Sequence, residues 1–338
     1  MRLGIIGPGL IWQKKHKAAL AKLASAFSIT AFCASSESRK AETLLDFQAA
    51  SFETDLAAFV ARGDIDAVVV LTPIHLNAQA AIAALRAGRD VFLEKPIAHT
   101  LQAGRDLIEA AQQYGRHVWV LEQMAYQPRW HELKSVIHEN LIGDLVYFDQ
   151  VIHWPLDASA NDRGGYGKTG WRIQPAYPLG PFFDGGAHQV AVLSTLFGAP
   201  NWVFATGIKL RQEYGEYDHI VVQLGYVLQL RGVLSHSSYL GERHNSFILW
   251  GTKGSVTIED DRLVVESYRG ECRQIEVSQG DAHDEMWSAL ERSIAQGDPP
   301  SYTLAQAWGD LAVLFAVEQS IRTGERVNLN IEWMDNPR

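Results

Sequence analysis

The chain has 338 residues, 47% hydrophobic and 20% charged, enough for two domains each with a sizeable core. Its 39 acidic against 30 basic side chains give a formal charge of -9, which excludes broad nucleic-acid binding through clustered positive charge. Two cysteines, Cys33 and Cys272, provide no disulfide framework, and no apolar run is long enough to span a bilayer or to read as a signal core, so a cytoplasmic location is expected.

From residue 1 to about 121, short apolar runs alternate with helical patterns. Strands are expected at 3–6, 29–33, 67–71, 91–93 and 118–121, with helices at 17–26, 38–47, 56–62, 78–87 and 101–114. The unalternated run Ala67-Val68-Val69-Val70-Leu71 suits a strand buried on both faces, as in a parallel sheet. Strand–helix alternation then implies a right-handed, doubly wound α/β domain over 1–121. After Glu122 the pattern changes. A helix is expected at 130–139, a strand at 145–154, a loop rich in Gly and polar residues at 155–180, and a helix near 188–197. Strands follow at 202–210, 219–224, 227–235, 247–250, 255–258 and 263–267 without helices between them, so antiparallel pairing is the economical reading. Helices at 285–295 and 304–322, stopped by Gly324, complete a second, α+β domain over 122–338 built on a large, mostly antiparallel open sheet.

Gly7-Pro8-Gly9 follows the first strand, where a dinucleotide fold needs a tight turn and close backbone approach to a pyrophosphate. Leu10 and Ile11 continue the turn into a helix N-terminus. The third small position of that fingerprint holds Trp12, which implies either a bulged loop or a helix that starts later, near Lys14 or Lys17. Strand two decides the cofactor, because an acid at its end would bind the ribose hydroxyls of NAD. Here the acid position is Ala34 or Ser35. Ser35, Ser36 and Arg39 suit a 2′-phosphate, while Glu37 can oppose it or bind a ribose, and Arg39 with Lys40 also reads as a solvated helix start. NADP(H) is favoured, with NAD(H) as the alternative.

Glu94-Lys95-Pro96 closes the strand 91–93, and reactive groups in such sheets gather at carboxyl ends of strands. Downstream, Asp184-Gly185-Gly186-Ala187-His188 spaces an acid and a histidine four residues apart, which puts both on one face of a helix begun at Asp184 or Gly185. A histidine's ordinary pKa of about 6.5 is nearer neutrality than lysine's of about 10.4, so His188 is the candidate acid–base group. Among the other histidines, His153, His236 and His244 show no metal-ligand spacing, and no metal is expected.

The glycine turn, the lysine and the Asp-x-x-x-His segment together resemble the Gfo/Idh/MocA family of glucose–fructose oxidoreductase and inositol dehydrogenase. The resemblance implies a Rossmann domain and an oxidoreductase that passes a hydride between nicotinamide and a sugar, polyol or related carbonyl or hydroxyl compound. It points Lys95 at the nicotinamide and the substrate hydroxyl, with His188 exchanging the proton, roles that are exchangeable within the family, and Asp184 positioning. It places Thr72, Pro73, His75 and Glu94 at the cofactor, and Tyr126, Trp171 and Arg172 in the substrate pocket. Where relatives often carry an acid three residues after the histidine, this chain has Ala191. The family commonly uses the sheet's outer face for association, so a homodimer or homotetramer is expected. Two alternatives remain: a non-catalytic NAD(P)-sensing regulator on the same fold, and a dehydrogenase of a non-sugar substrate such as a dihydrodiol.

Overall fold

A computed structural model describes residues 1–157 and 165–330; residues 158–164, within the expected Gly-rich loop, lie outside the described residues. The apolar runs of the first part pair side by side as a six-stranded parallel sheet. Its strands are β1 (Arg2–Ile6), β2 (Ser28–Cys33), β3 (Ser51–Glu53), β4 (Ala67–Val70), β5 (Asp90–Glu94) and β6 (Val118–Leu121). Their order is β3-β2-β1-β4-β5-β6. The order reverses between β1 and β4, which makes the carboxyl ends of these strands the place where such sheets bind ligands. All four residues of β4 are 0% exposed, as its unalternated composition requires. β3 had no signal in the sequence, being three half-buried residues at the sheet edge.

The helix after the glycine turn begins at residue 10, not at Lys14 or Lys17. It opens with a π turn over Trp12–His16 before continuing as α-helix Lys17–Ala21. Trp12 is 0% exposed, with ring centroids 5.6 Å from Phe32 and 5.8 Å from Phe47. An aromatic pocket on the β2 side thus accepts the indole where the fingerprint has a small residue. The extra residue of the wide turn makes room for it.

A second, nine-stranded sheet contains β7 (Leu145–His153), β8 (Trp202–Ile208), β9 (His219–Gly225), β10 (Arg231–Ser237), β11 (His244–Gly251), β12 (Gly254–Ile258), β13 (Arg262–Ser267), β14 (Cys272–Glu276) and β15 (Val327–Asn328). The order is β14-β13-β12-β11-β7-β10-β9-β8-β15, antiparallel throughout except where β10 meets β7. Phe148, Gln150 and Ile152 of β7 are buried on one face while their neighbours are half-buried on the other. Helices Pro128–His138 and Ala187–Phe197 cover the buried face, with Trp130 edge-on to Phe247 and Phe197 stacked on Phe148. The strand expected at 227–235 starts only at Arg231, because a 3-10 turn over Val227–Gln229 comes first. β14 was also not foreseen, since it is mostly exposed and lacks apolar alternation.

The chain divides into two compact units: Met1–Gln123 with Asp281–Leu311, and Met124–Gly280 with the described residues of Ala312–Arg338. Helix Ala282–Gln296 returns to the first unit, so the units do not part at the single 121/122 boundary that the sequence pattern predicts. Asp281 caps it, accepting from the His283 N–H, and Trp287 is 0% exposed against Phe27 and Phe92. Amphipathic periodicity shows that a helix has a core face but not which core it enters. Among the described residues no helix is long and apolar enough to cross a membrane.

Trp12→Ala is predicted to cost about 3–5 kcal/mol, because it empties a closed aromatic pocket. Urea unfolding measures it, and a loss below about 1 kcal/mol would mean that the pocket collapses freely.

Candidate functional site

Gly7 adopts φ +76°, and a Cβ there would lie 3.0 Å from the Leu71 carbonyl oxygen, so only glycine fits without strain. Its N–H donates to the Cys33 carbonyl at 2.8 Å, tying the turn to the end of β2. Above Gly9 the nearest atom to an added Cβ is 3.8 Å away, which leaves open space beside the backbone. The helix that starts at Leu10 and Ile11 presents its first N–H groups there. Open space, a left-handed glycine and a helix N-terminus suit a pyrophosphate, so the residues present fit a dinucleotide.

At the end of β2, Ser36 accepts from the Ser38 N–H and donates to the Ser38 hydroxyl. Glu37 pairs with Lys40 at 3.4 Å, and Glu53 at the end of β3 pairs with Arg62 at 3.2 Å. Ser35 and Arg39 are exposed, and Arg39 has no ion-pair partner among the described residues.

Lys95 sits where β5 ends, and three neighbours fix the backbone around it. The Glu94 carboxylate accepts the Lys95 N–H at 3.1 Å through Oε2. The side-chain amide of Asn77, itself 0% exposed, donates to the carbonyls of both Glu94 (3.1 Å) and Pro96 (2.9 Å). Thr72 in turn donates to Asn77 Oδ1 at 2.8 Å, and the Lys95–Pro96 peptide is cis. Thr72, expected at the cofactor, is therefore also a strut of the lysine's support. The Glu94 Oε1 meets His16 Nε2 at 2.8 Å, and His16 Nδ1 accepts from the Trp287 indole at 3.0 Å. Burial opposes ionisation of Glu94, but the His16 hydrogen bond, with the charge of Lys95 adding, outweighs it and holds the carboxyl below its ordinary range.

Asn77, His16 and His283 carry no signal as site residues in the sequence, where Trp287 reads only as a core aromatic, as its burial bears out. His16 sits in Lys14-Lys15-His16-Lys17, which reads as a solvated basic face, and Asn77 and His283 look like ordinary helix residues. His16, Glu94 and His283 bring donor atoms within 4.8 Å of one another. Burial foremost pushes His283 down to about 3 against the pull of Glu94 and Asp281. His75 is half-buried at the start of helix Ile74–Arg86, next to Pro73. His99, likewise unforeseen, is lowered first by burial and then by the charge of His75.

In the second unit the structure brings Trp171, Arg172 and Asp184 together. Arg172 Nε meets Asp184 Oδ2 at 2.6 Å, and its guanidinium lies 3.9 Å from the Trp171 ring centroid and 5.0 Å from that of Tyr166. The helix carrying Asp184 and His188 begins at Pro181, earlier than expected, with a π turn over Phe182–Gly186. A π turn closes i to i+5, so a spacing of four no longer guarantees a shared face. His236, on the buried face of β10, is the residue missed here. Its Nε2 would lie 3.5 Å from a Cβ on Gly185, its ring is edge-on to Phe182, and it feels the charges of both Asp184 and His188. Burial foremost, then the charges of His219 and His153, push it down to about 4. Burial and then Asp184 raise the Tyr177 hydroxyl. Tyr126 is 4% exposed, and Ala191, three residues beyond His188, is 1% exposed.

The sequence profile of the oxidoreductase family with an NAD-binding Rossmann fold matches residues 1–122, and that of the GFO/IDH/MocA C-terminal domain matches residues 130–257. The chain belongs to the Gfo/Idh/MocA family. Membership makes it a nicotinamide-dependent oxidoreductase. Among Gfo/Idh/MocA relatives, the Bacillus subtilis scyllo-inositol 2-dehydrogenase (NADP(+)) is 27% identical over 75% of this chain and 70% of its own length. An inositol 2-dehydrogenase from Saccharopolyspora erythraea is 24% identical over 98% of this chain and 96% of its own. A crystal structure of an oxidoreductase from Thermotoga maritima superposes with a TM-score of 0.89 at 26% identity, covering 97% of this chain and 98% of that one.

A histidine near 4 when folded and 6.5 when free refuses in the native state a proton that the unfolded chain takes. Stability is therefore predicted to be full above pH 6.5 and to fall as the pH drops toward 4. His236→Gln should flatten that decline in urea midpoints, leaving the similar contribution of His283. An unchanged slope would mean that native His236 takes its proton normally.

Proposed function

We propose that this enzyme is an NADP-preferring dehydrogenase or reductase of a sugar, a polyol or a related hydroxyl or carbonyl compound. The observation that carries it is the clamp on Lys95: Glu94 Oε2 holds its N–H and Asn77 holds the carbonyls on either side. A lysine whose backbone is held this rigidly at the carboxyl end of a parallel strand launches its amine from a fixed point, which suits the binding of one substrate oxygen.

When bound, the nicotinamide supplies or accepts the hydride. Lys95 donates to the substrate oxygen and stabilises the negative charge that develops on it as the hydroxyl proton leaves in oxidation, or as hydride reaches the carbonyl carbon in reduction. His188 exchanges the hydroxyl proton. Asp184 fixes Arg172 against Trp171, and this charged, aromatic platform suits a ring bearing several hydroxyls. Gly7, Gly9, Leu10 and Ile11 hold the pyrophosphate, while Thr72, Pro73, His75, Glu94 and Lys95 frame the nicotinamide half. The names of the inositol dehydrogenases among the relatives support the substrate class.

Ser35, Ser36 and Arg39 hold a 2′-phosphate in this reading. Arg39 is available because the nearby acids are engaged elsewhere, Glu37 by Lys40 and Glu53 by Arg62. A homodimer or homotetramer would use the half-buried outer face of the nine-stranded sheet, where Phe204, Val221, Val233 and Ile248 lie. The free cysteines Cys33 and Cys272 suit a reducing cytoplasm.

Lys95→Ala is expected to lower kcat by roughly a hundredfold or more, with little change in NADPH affinity. Steady-state rates of NADP reduction across inositols, aldoses and other polyols, beside fluorescence titration of NADPH, check this. Undiminished turnover would remove Lys95 from the reaction. Arg39→Ala is expected to weaken NADPH roughly tenfold to a hundredfold and to leave NADH nearly unchanged; equal losses for both cofactors would mean that Arg39 does not read the phosphate.

A further inference from the structure

Hydride transfer as proposed gives no task to Trp287, yet this indole ends a buried line of hydrogen bonds. Its Nε1–H can only donate, and it points at His16 Nδ1 from 3.0 Å. His16 Nδ1 therefore carries no proton. A neutral imidazole has one proton, which must sit on Nε2, and Nε2 lies 2.8 Å from Glu94 Oε1. The carboxylate's other oxygen accepts the Lys95 N–H at 3.1 Å. Trp287 and His16 are both 0% exposed and Glu94 is 8% exposed, so water does not substitute freely along this line.

We propose that Trp287 is a positioning residue for Lys95, acting by selecting the His16 tautomer. This rests on the reading of Lys95 as the group that holds the substrate oxygen. With the indole N–H in place, only the Nε2–H tautomer avoids two donors facing each other. That tautomer keeps Glu94 hydrogen-bonded on Oε1 and free to hold Lys95 through Oε2. Without the indole N–H, the ring can carry its proton on Nδ1 instead. Nε2 then presents a lone pair to a carboxylate, and Glu94 must turn away from one of its two partners.

The same logic opposes a metal ion at His16, Glu94 and His283, although their donor atoms lie within 4.8 Å of one another. A ligating Nε2 would need its proton moved to Nδ1, where the Trp287 N–H already points. His16 and Glu94 thus serve the hydrogen-bond line rather than a coordination site.

Trp287→Phe keeps an aromatic ring against Phe27 and Phe92 while deleting the donor. The expected result is a kcat roughly tenfold lower, the scale of one hydrogen bond, with KM for the cofactor little changed and a lower melting temperature from the space the indole leaves. In ¹⁵N-histidine NMR, His16 should be purely Nε2–H in the wild type and a mixture of tautomers in the variant. His16→Gln offers a carbonyl to the indole and an N–H to Glu94, so it should recover most of the turnover lost in His16→Leu. This pair also decides the matter if Trp287→Phe does not fold. A wild-type His16 protonated on Nδ1, an unchanged kcat in Trp287→Phe, or equal losses in His16→Gln and His16→Leu would overturn the proposal. Lys95→Ala measured beside them separates the two readings: if it retains turnover, the role of Lys95 fails, while the NMR still judges the hydrogen-bond line.

Discussion

A carboxylate removed from water must be paired, hydrogen-bonded or neutral. Glu94 is 8% exposed and ionised below its usual range, so its surroundings have to supply partners for both oxygens. They come from separate parts of the chain: His16 from the first helix and the Lys95 N–H from the strand end itself. The first helix, the end of β5 and the late helix Ala282–Gln296, which orients His16 through Trp287, are thus bound to one buried charge. Removing any partner would leave that charge short of a hydrogen bond, which makes the geometry around Lys95 hard to vary by small steps.

Two of the helices that carry candidate site residues open with π turns, Trp12–His16 and Phe182–Gly186. Each wide turn settles a local conflict between sequence and packing. At Trp12 the conflict is a large indole at a position that close helix–strand packing reserves for a small residue. At Gly186 it is proximity, since a Cβ there would come within 2.5 Å of the Phe182 ring. Such turns are frequent at functional positions, where backbone regularity gives way to side-chain placement.

Much of this was legible in the residues. Runs such as Ala67–Val70 declared a parallel sheet, and Gly7 and Lys95 stand at its strand ends where their motifs placed them. The pairing of Arg172 with Asp184 gathered two residues named separately from sequence. What stayed hidden was long-range. Asn77 meets Glu94 and Pro96 across a loop, and Trp287 meets His16 across most of the chain. No periodicity encodes which distant polar atoms a helix face will meet. The π turns were hidden too, because they depend on the pocket that receives Trp12 rather than on the propensity of its neighbours.

The passage of residues 281–311 into the first unit also orders events during synthesis. The dinucleotide half cannot reach its finished core while the ribosome has delivered only the first 123 residues. Until residues 281–311 emerge, the surface destined for Trp287 stays bare and His16 has no indole against it. A fragment ending near residue 123 would be an unfinished module, and trimming it out as an independent cofactor binder would expose Phe27 and Phe92 to solvent.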